Sequence, residues 1–321
     1  MANPAAVAEG KSTTDRVFTM PRHTPRRALA ERLPGWLGSR WAAHLFATPR
    51  SADRPETEHT FLSTGRPFRV RGLAAWRWGS GPPVFLLHGW EGRGAELGAF
   101  VDPLIARGFS VVAIDAKAHG ASPGMEATLS DFADALLALE AHMGSPAAVV
   151  AHSFGTLATL LAVRRGLSAR SLVLIAVPSP RERLDMFRNV LGLSDASLRA
   201  VKRIIQTRVG MSWDDVEGPA LAAGIVVPSL VLHDRSDRAA PMEISERTAA
   251  ALASATFRVT EGLGHRRILK DPGVVAETVS FVAAHANRAS SSRARVARWK
   301  PCGDGRPSQR RQLPLFAGAL R

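Results

Sequence analysis

Apolar and polar positions along the chain fall into two rhythms that alternate from about Phe68 onward. "FRVRGLAAWRWG" alternates as an early strand pair does, and "PVFLLHG" is a continuous apolar strand followed by a helical pattern across "AELGAFVDPLIARG". "SVVAIDA" reads as a further buried strand, and "LSDFADALLALEAHMG" as a helix with apolar residues recurring at three and four. Next come "AAVVAHS" with its helix and the strands "SLVLIAVP" and "SLVLHD". The helix "EISERTAAALAS", the strand "TFRVTEG" and a final helix "PGVVAETVSFVAAHA" close the series. Buried apolar strands alternating with amphipathic helices predict an α/β fold: a doubly wound, mostly parallel sheet covered on both faces. Ligands of such sheets bind outside the carboxyl ends of the strands.

Two stretches break the rhythm. Residues 179–225 contain no strand pattern but two helical ones, across 183–192 and 195–208, which predicts a small helical lid on the active side of the sheet. Residues 28–48 place Leu29, Leu33, Trp36, Leu37, Trp41, Leu45 and Phe46 at helical spacing around Pro34-Gly35, as in a bent amphipathic helix. Packing on the domain's own surface is the favoured reading of that helix, and contact with a membrane surface the less favoured one. The expected organisation is a flexible leader over 1–27, the amphipathic segment over 28–54, the α/β domain over 55–287 and a disordered basic tail over 288–321.

Composition adds limits. With 321 residues, 45% of them hydrophobic, a large core is within reach. The net charge of +14 would point to nucleic acid if it covered the folded surface. Residues 55–287, however, hold 24 Lys/Arg against 23 Asp/Glu, and the excess sits in residues 1–54 (9 against 4) and 288–321 (9 against 1). Arginine-rich ends of this kind are ordinarily solvated, so nucleic acid is not an expected partner. The single cysteine, Cys302, allows no disulfide within the chain. No signal-peptide core and no apolar run of membrane-spanning length is present, and the expected location is cytoplasmic.

The chemistry begins at Ser153 in "AAVVAHSFGTLATLLAV", between a buried strand and a helix. It is either a helix N-cap or a nucleophile on a tight strand-to-helix bend. "AHSFG" differs from Gly-x-Ser-x-Gly only in Ala151, where a small side chain is what close strand-helix packing requires. A serine nucleophile needs a base, and the base needs a group to orient it. "HDRSDRAAP" places Asp234 and Asp237 just past one strand, and "LGHRRILKDP" places His265 in the loop past the next. Asp115 and His119 in "IDAKAHGAS" read as turn-forming, and the ten histidines show no metal-ligand spacing, so neither metal nor cofactor is expected.

The elbow "AHSFG", the "LLHGW" strand end, the acid loop and the histidine loop together resemble the alpha/beta-hydrolase superfamily over about residues 68–287. "HGWEGRGAELGAF" and "EGLGHRRILKDP" are similar to a bacterial subgroup of serine hydrolases of unknown substrate. The resemblance implies Ser153, Asp237 and His265 as catalytic residues, with Asp237 preferred over Asp234 because the family acid lies one turn beyond the strand. It implies an oxyanion hole from the backbone N–H groups of Trp90 and Phe154, with the Trp90 side chain walling the acyl pocket and His88 shaping the loop without a catalytic role. Met186, Phe187, Val190 and Leu191 on the lid read as packing residues first and substrate contacts second. The implied activity is cleavage of an ester or thioester of a small-molecule acyl substrate through an acyl-enzyme. Acyl transfer, peroxide-assisted chemistry on the same triad, and a catalytically silent binding module are the alternatives.

Overall fold

A computed structural model of the protein describes residues 35–50 and 53–286. The expected leader over 1–27, residues 28–34, the tail over 288–321 and Cys302 lie outside the described residues. Eight strands form one sheet: β1 (Arg66–Val70), β2 (Leu73–Trp78), β3 (Pro83–Leu87), β4 (Ser110–Ile114), β5 (Ala148–His152), β6 (Leu172–Ile175), β7 (Ser229–Asp234) and β8 (Ala255–Thr260). Their spatial order is β1-β2-β4-β3-β5-β6-β7-β8. β1 and β2 form an antiparallel hairpin, β2 is antiparallel to β4, and every other pairing is parallel. The hairpin turns on Arg71 and Gly72, both at positive φ (48° and 84°), the conformation a two-residue connection needs.

The helices are α1 (Gly35–Ala47), α2 (Glu56–Ser63), α3 (Val101–Ile105), α4 (Leu129–Met143), α5 (Phe154–Arg164) and α6 (Pro180–Leu191). After them come α7 (Asp195–Val209), α8 (Gly218–Ala222), α9 (Met242–Ala251), α10 (Gly264–Arg267) and α11 (Pro272–His285). Strand residues alternate between two cores, as the two-residue period demands. Phe85, Leu87, Val112, Ile114, Val149 and Ala151 face the side covered by α4 and α5. Val84, Leu86, Val111, Ala113, Ala148 and Val150 face the side covered by α3 and α11. Because β3, β5, β7 and β8 run parallel, their carboxyl ends bring the loops that follow Leu87, His152, Asp234 and Thr260 to one edge.

Two elements differ from the sequence expectation. The helix read across "AELGAFVDPLIARG" is a 3-10 run over Gly94–Phe100 followed by the short α3. There the Phe61 ring occupies the space beside Gly98, 2.9 Å from where a Cβ would stand, and Leu97 leaves helical geometry at φ −92°, ψ 15°. The helix α2 had no apolar period to announce it, yet it stacks Phe61 on Trp78 with ring centres 5.1 Å apart. The segment α1 packs on the lid helix α7, burying Ala42, Ala43 and Phe46 while Trp36 stays 66% exposed, and Pro34, where a bend was expected, lies outside the described residues. The lid between β6 and β7 holds α6 and α7, capped by Ser179 and Ser194 and closed by Gly192 and Gly210 in left-handed geometry, and also the short α8.

Candidate active site

The bend between β5 and α5 fixes Ser153. Its φ of 50° and ψ of −124° lie where an L-residue is strained, and its hydroxyl makes no capping bond to α5. The N-cap reading therefore fails on geometry. The bend is possible because the next turn is bare: a Cβ on Gly155 would stand 2.5 Å from the His88 carbonyl oxygen and 2.8 Å from that of Leu87.

His265, on the short helix after β8, reaches Ser153 from the side. Its Nε2 lies 3.0 Å from Ser153 Oγ and its Nδ1 2.7 Å from Asp237 Oδ2. Asp237 accepts a hydrogen bond from Nδ1–H, which leaves Nε2 free to accept from the serine hydroxyl. The Asp237 side chain is 1% exposed. Burial opposes its ionisation, but the His265 bond and field and the amides of Ala239 and Ala240 outweigh it and hold the carboxyl below its ordinary range.

Asp234 lies elsewhere. Its oxygens accept from the amides of Ser236, Leu263 and Gly264 and from the Thr260 hydroxyl, at 2.8 to 3.1 Å. It thus pins the histidine loop to the acid loop. Burial works against its charge too, and these donors still bring its pKa down.

Two histidines that sequence reasoning passed over support the same group. His152 Nε2 donates to the His265 carbonyl at 2.9 Å, while its buried Nδ1 has no partner. His233 donates to the Ala240 carbonyl from Nε2, which lies 3.5 Å from Asp237 Oδ2, and its Nδ1 faces the Ser245 hydroxyl at 2.6 Å. Burial keeps both neutral by lowering their pKa. The available signal was a polar residue inside an otherwise apolar strand, in "AAVVAHS" and "SLVLHD".

The loop after β3 brings Trp90 beside Phe154, ring centres 5.5 Å apart. Phe154 is the first residue of α5, so its amide has no helical acceptor. His88 shapes this loop: Nδ1 donates to the Gly89 carbonyl at 2.7 Å and Nε2 accepts from the Ala116 amide at 3.0 Å, with burial lowering its pKa to about 4. His119 accepts from the Glu91 amide at 3.1 Å, and burial takes its pKa to about 3. Asp115 is a buried tie, holding the amides of Gly94 and Ala121 and the Arg54 guanidinium at 2.7 to 2.8 Å.

Ser153 and His265 open into a cleft of about 780 Å³ bordered by Trp90 and by the lid residues Met186, Phe187, Val190 and Leu191. Met186 is exposed, Phe187 meets Phe46 edge-on at 5.4 Å, and Leu191 is mostly absorbed into the core. Beyond Trp90 and Phe154 lies a smaller chamber of about 60 Å³ with almost wholly apolar walls, including Leu129, Ile205 and Trp213. Among the described residues no His/Cys/Asp/Glu group is arranged to hold a metal ion, and no helix is long and apolar enough to cross a membrane.

Comparison with known proteins agrees with this architecture. The family model described as "Alpha/beta hydrolase family" matches residues 84–278. A pimeloyl-acyl-carrier-protein methyl ester esterase of Chromobacterium violaceum is 40% identical over 104 residues, covering 32% of this chain and only 39% of that relative. A non-heme haloperoxidase of Rhodococcus erythropolis is 27% identical over 64% of this chain and 93% of its own. Among solved structures, a monoacylglycerol lipase of Paleococcus ferrophilus superposes with a TM-score of 0.53 at 24% identity, covering 66% of this chain and 99% of its own. An esterase of Exiguobacterium antarcticum does so with a TM-score of 0.51 at 18% identity, covering 68% and 99%.

Proposed function

The chain belongs to the alpha/beta hydrolase family, and from that premise we propose that it is a serine hydrolase cleaving a carboxylic ester or thioester through an acyl-enzyme on Ser153. The observation that carries this reading is the unbroken relay from Ser153 Oγ to His265 Nε2 at 3.0 Å and from His265 Nδ1 to Asp237 Oδ2 at 2.7 Å. A hydroxyl on a strained bend, free of capping duty and hydrogen-bonded to an oriented imidazole, is an activated nucleophile.

In the first half-reaction Ser153 Oγ attacks the acyl carbon while His265 Nε2 takes its proton. Asp237 stays ionised and stabilises the imidazolium. The amides of Trp90 and Phe154 receive the developing oxyanion, a contribution of roughly 3 kcal/mol each in such sites. Collapse of the tetrahedral adduct expels the alcohol or thiol, which takes the proton from His265. Water then gives a proton to His265 and adds to the acyl-enzyme, and the carboxylic acid leaves as Ser153 recovers its hydrogen. The relative described as an ester esterase supports the ester as substrate. The one described as a haloperoxidase supports a second reading, in which hydrogen peroxide replaces water in the last step and a peracid leaves.

The test is the hydrolysis of 4-nitrophenyl butyrate by the full chain and by Ser153→Ala. The substitution is expected to lower kcat by about 10⁴-fold or more with an unchanged melting temperature. Near-normal turnover by Ser153→Ala would overturn the assignment.

A further inference from the structure

Arg183, on α6, borders both the catalytic cleft and the apolar chamber. Its guanidinium carbon lies 4.1 Å from the ring centre of Phe46 and 4.2 Å from that of Trp90, so the planar cation is held between one face from α1 and one from the loop after β3. Its hydrogen bond, from Nη2 at 2.9 Å, goes to the Phe46 carbonyl, a neutral acceptor.

Among the described residues no carboxylate pairs with it. Glu91 acts on it through its field, but that carboxylate is clamped by Arg50, whose Nε and Nη2 reach its two oxygens at 2.9 and 2.7 Å. Glu91 is thus already matched by Arg50 and makes no ion pair with Arg183. Arg183 is half-buried and, among the described residues, hydrogen-bonds only through Nη2, so its other N–H groups lie open to the cleft, where a carboxylate presented edge-on would pair with them. Among the other described residues bordering the cleft, Arg238 and Arg266 stand against Glu182. A positive cleft draws in an anion.

We propose that Arg183 binds a carboxylate of the substrate, so that the ester or thioester cleaved at Ser153 carries a free acid on one of its two parts. The inference rests on the reading of Ser153 as nucleophile. Shape favours a carboxylate: its planar pair of oxygens matches the edge of the single guanidinium stacked here, beside a chamber whose walls are apolar. Position fits as well, because the ring that Arg183 stacks on belongs to Trp90, whose amide stands at the proposed oxyanion hole.

The test compares acid and neutral members of two substrate pairs on the full-length enzyme. Mono(4-nitrophenyl) adipate against 4-nitrophenyl hexanoate places the acid on the acyl part, and 4-acetoxybenzoate against 4-acetoxybenzamide places it on the leaving group. In one pair kcat/KM for the acid is expected to exceed that for the neutral ester by about tenfold or more. Arg183→Met is expected to bring that ratio close to one, and Arg183→Lys to retain part of it. The ratio is the readout because a purely structural role for Arg183 would lower both members alike and leave it unchanged. If Arg183→Met does not fold, Arg183→Lys and competitive inhibition of the unaltered enzyme by monomethyl adipate, against none by dimethyl adipate, carry the test. Absence of an acid preference in both pairs, or a preference that survives Arg183→Met, overturns the proposal. Fluorophosphonate labelling in the same samples separates the two levels: a labelled Ser153 without acid preference removes only the role of Arg183, whereas no labelling and no hydrolysis removes both.

Discussion

On the floor of the cleft Asp234, Asp237 and His265 are each held by two or more hydrogen bonds, whereas on its roof α1, α6 and the segment after α7 meet through Phe46, Phe187, Trp213 and the stacked Arg183. Hydrogen bonds are directional, and a network of them fixes a nucleophile, base and acid to the tolerance that proton transfer needs. Aromatic and dispersion contacts are less directional and tolerate repacking. The division assigns reaction geometry to the strand ends and choice of substrate to the helices above them. Substitutions on the floor should therefore alter turnover out of proportion to stability, and substitutions on the roof should do the reverse.

The sharpest break is within the floor itself. Asp237→Asn is expected to cut kcat by about 10³- to 10⁴-fold, because an amide donates to His265 where a carboxylate accepts. Asp234→Asn is expected to cost about tenfold or less in kcat while lowering the melting temperature by several degrees, since it loosens the loop ties to Leu263 and Gly264. Equal losses of kcat in the two variants would erase the distinction between the acid and its neighbour.

Next in size is the response to acid. His88 and His119 have pKa values lowered by burial to about 4 and about 3, and burial carries His152 well below 6.5. All three are neutral when folded, and in the unfolded chain they take up protons near pH 6.5. The unfolded state thus binds more protons in the window between, so stability is complete above about pH 6.5 and declines as the pH falls toward 4, by a few kcal/mol at about pH 5. Thermal melts from pH 7.5 to 5 read this directly. A flat melting temperature over that range would contradict neutral burial beneath the cleft.

On the roof, Phe46→Ala is expected to cost about 3 kcal/mol of stability by opening the contact between α1 and the lid. Urea unfolding measures the loss, and fluorophosphonate labelling of Ser153 should persist. The smallest effect concerns the strained bend. Ser153→Gly is expected to be more stable than Ser153→Ala by about 1 kcal/mol, because glycine accepts φ 50° without strain while both variants lack the hydroxyl.

Much of this architecture was legible in the chain. Strands β3 to β7 are apolar runs with little competing pattern, and the elbow at Ser153 follows from a polar residue wedged between two buried elements. The choice between Asp234 and Asp237 was only a preference at that level, because both follow the same strand. It takes the backbone path after β7 to turn one carboxylate toward the loop amides and the other toward His265. His152 and His233 escaped notice because their partners are carbonyl and hydroxyl groups brought near by folding, which no local period encodes. Arg183 was invisible for a related reason. On the sequence it is one of several arginines on an amphipathic helix, and only the meeting of α1, α6 and the Trp90 loop places it between two rings.

The central claim is that Ser153 is the nucleophile of a hydrogen-bonded relay, and covalent labelling tests it most directly. The full-length protein, treated with a fluorophosphonate at neutral pH and digested, is expected to show a single adduct on the peptide containing Ser153. The same treatment of Ser153→Ala is expected to give no adduct, and His265→Ala to slow labelling by about 10³-fold or more. An adduct on another residue, or labelling of Ser153 at the same rate without His265, would contradict the claim.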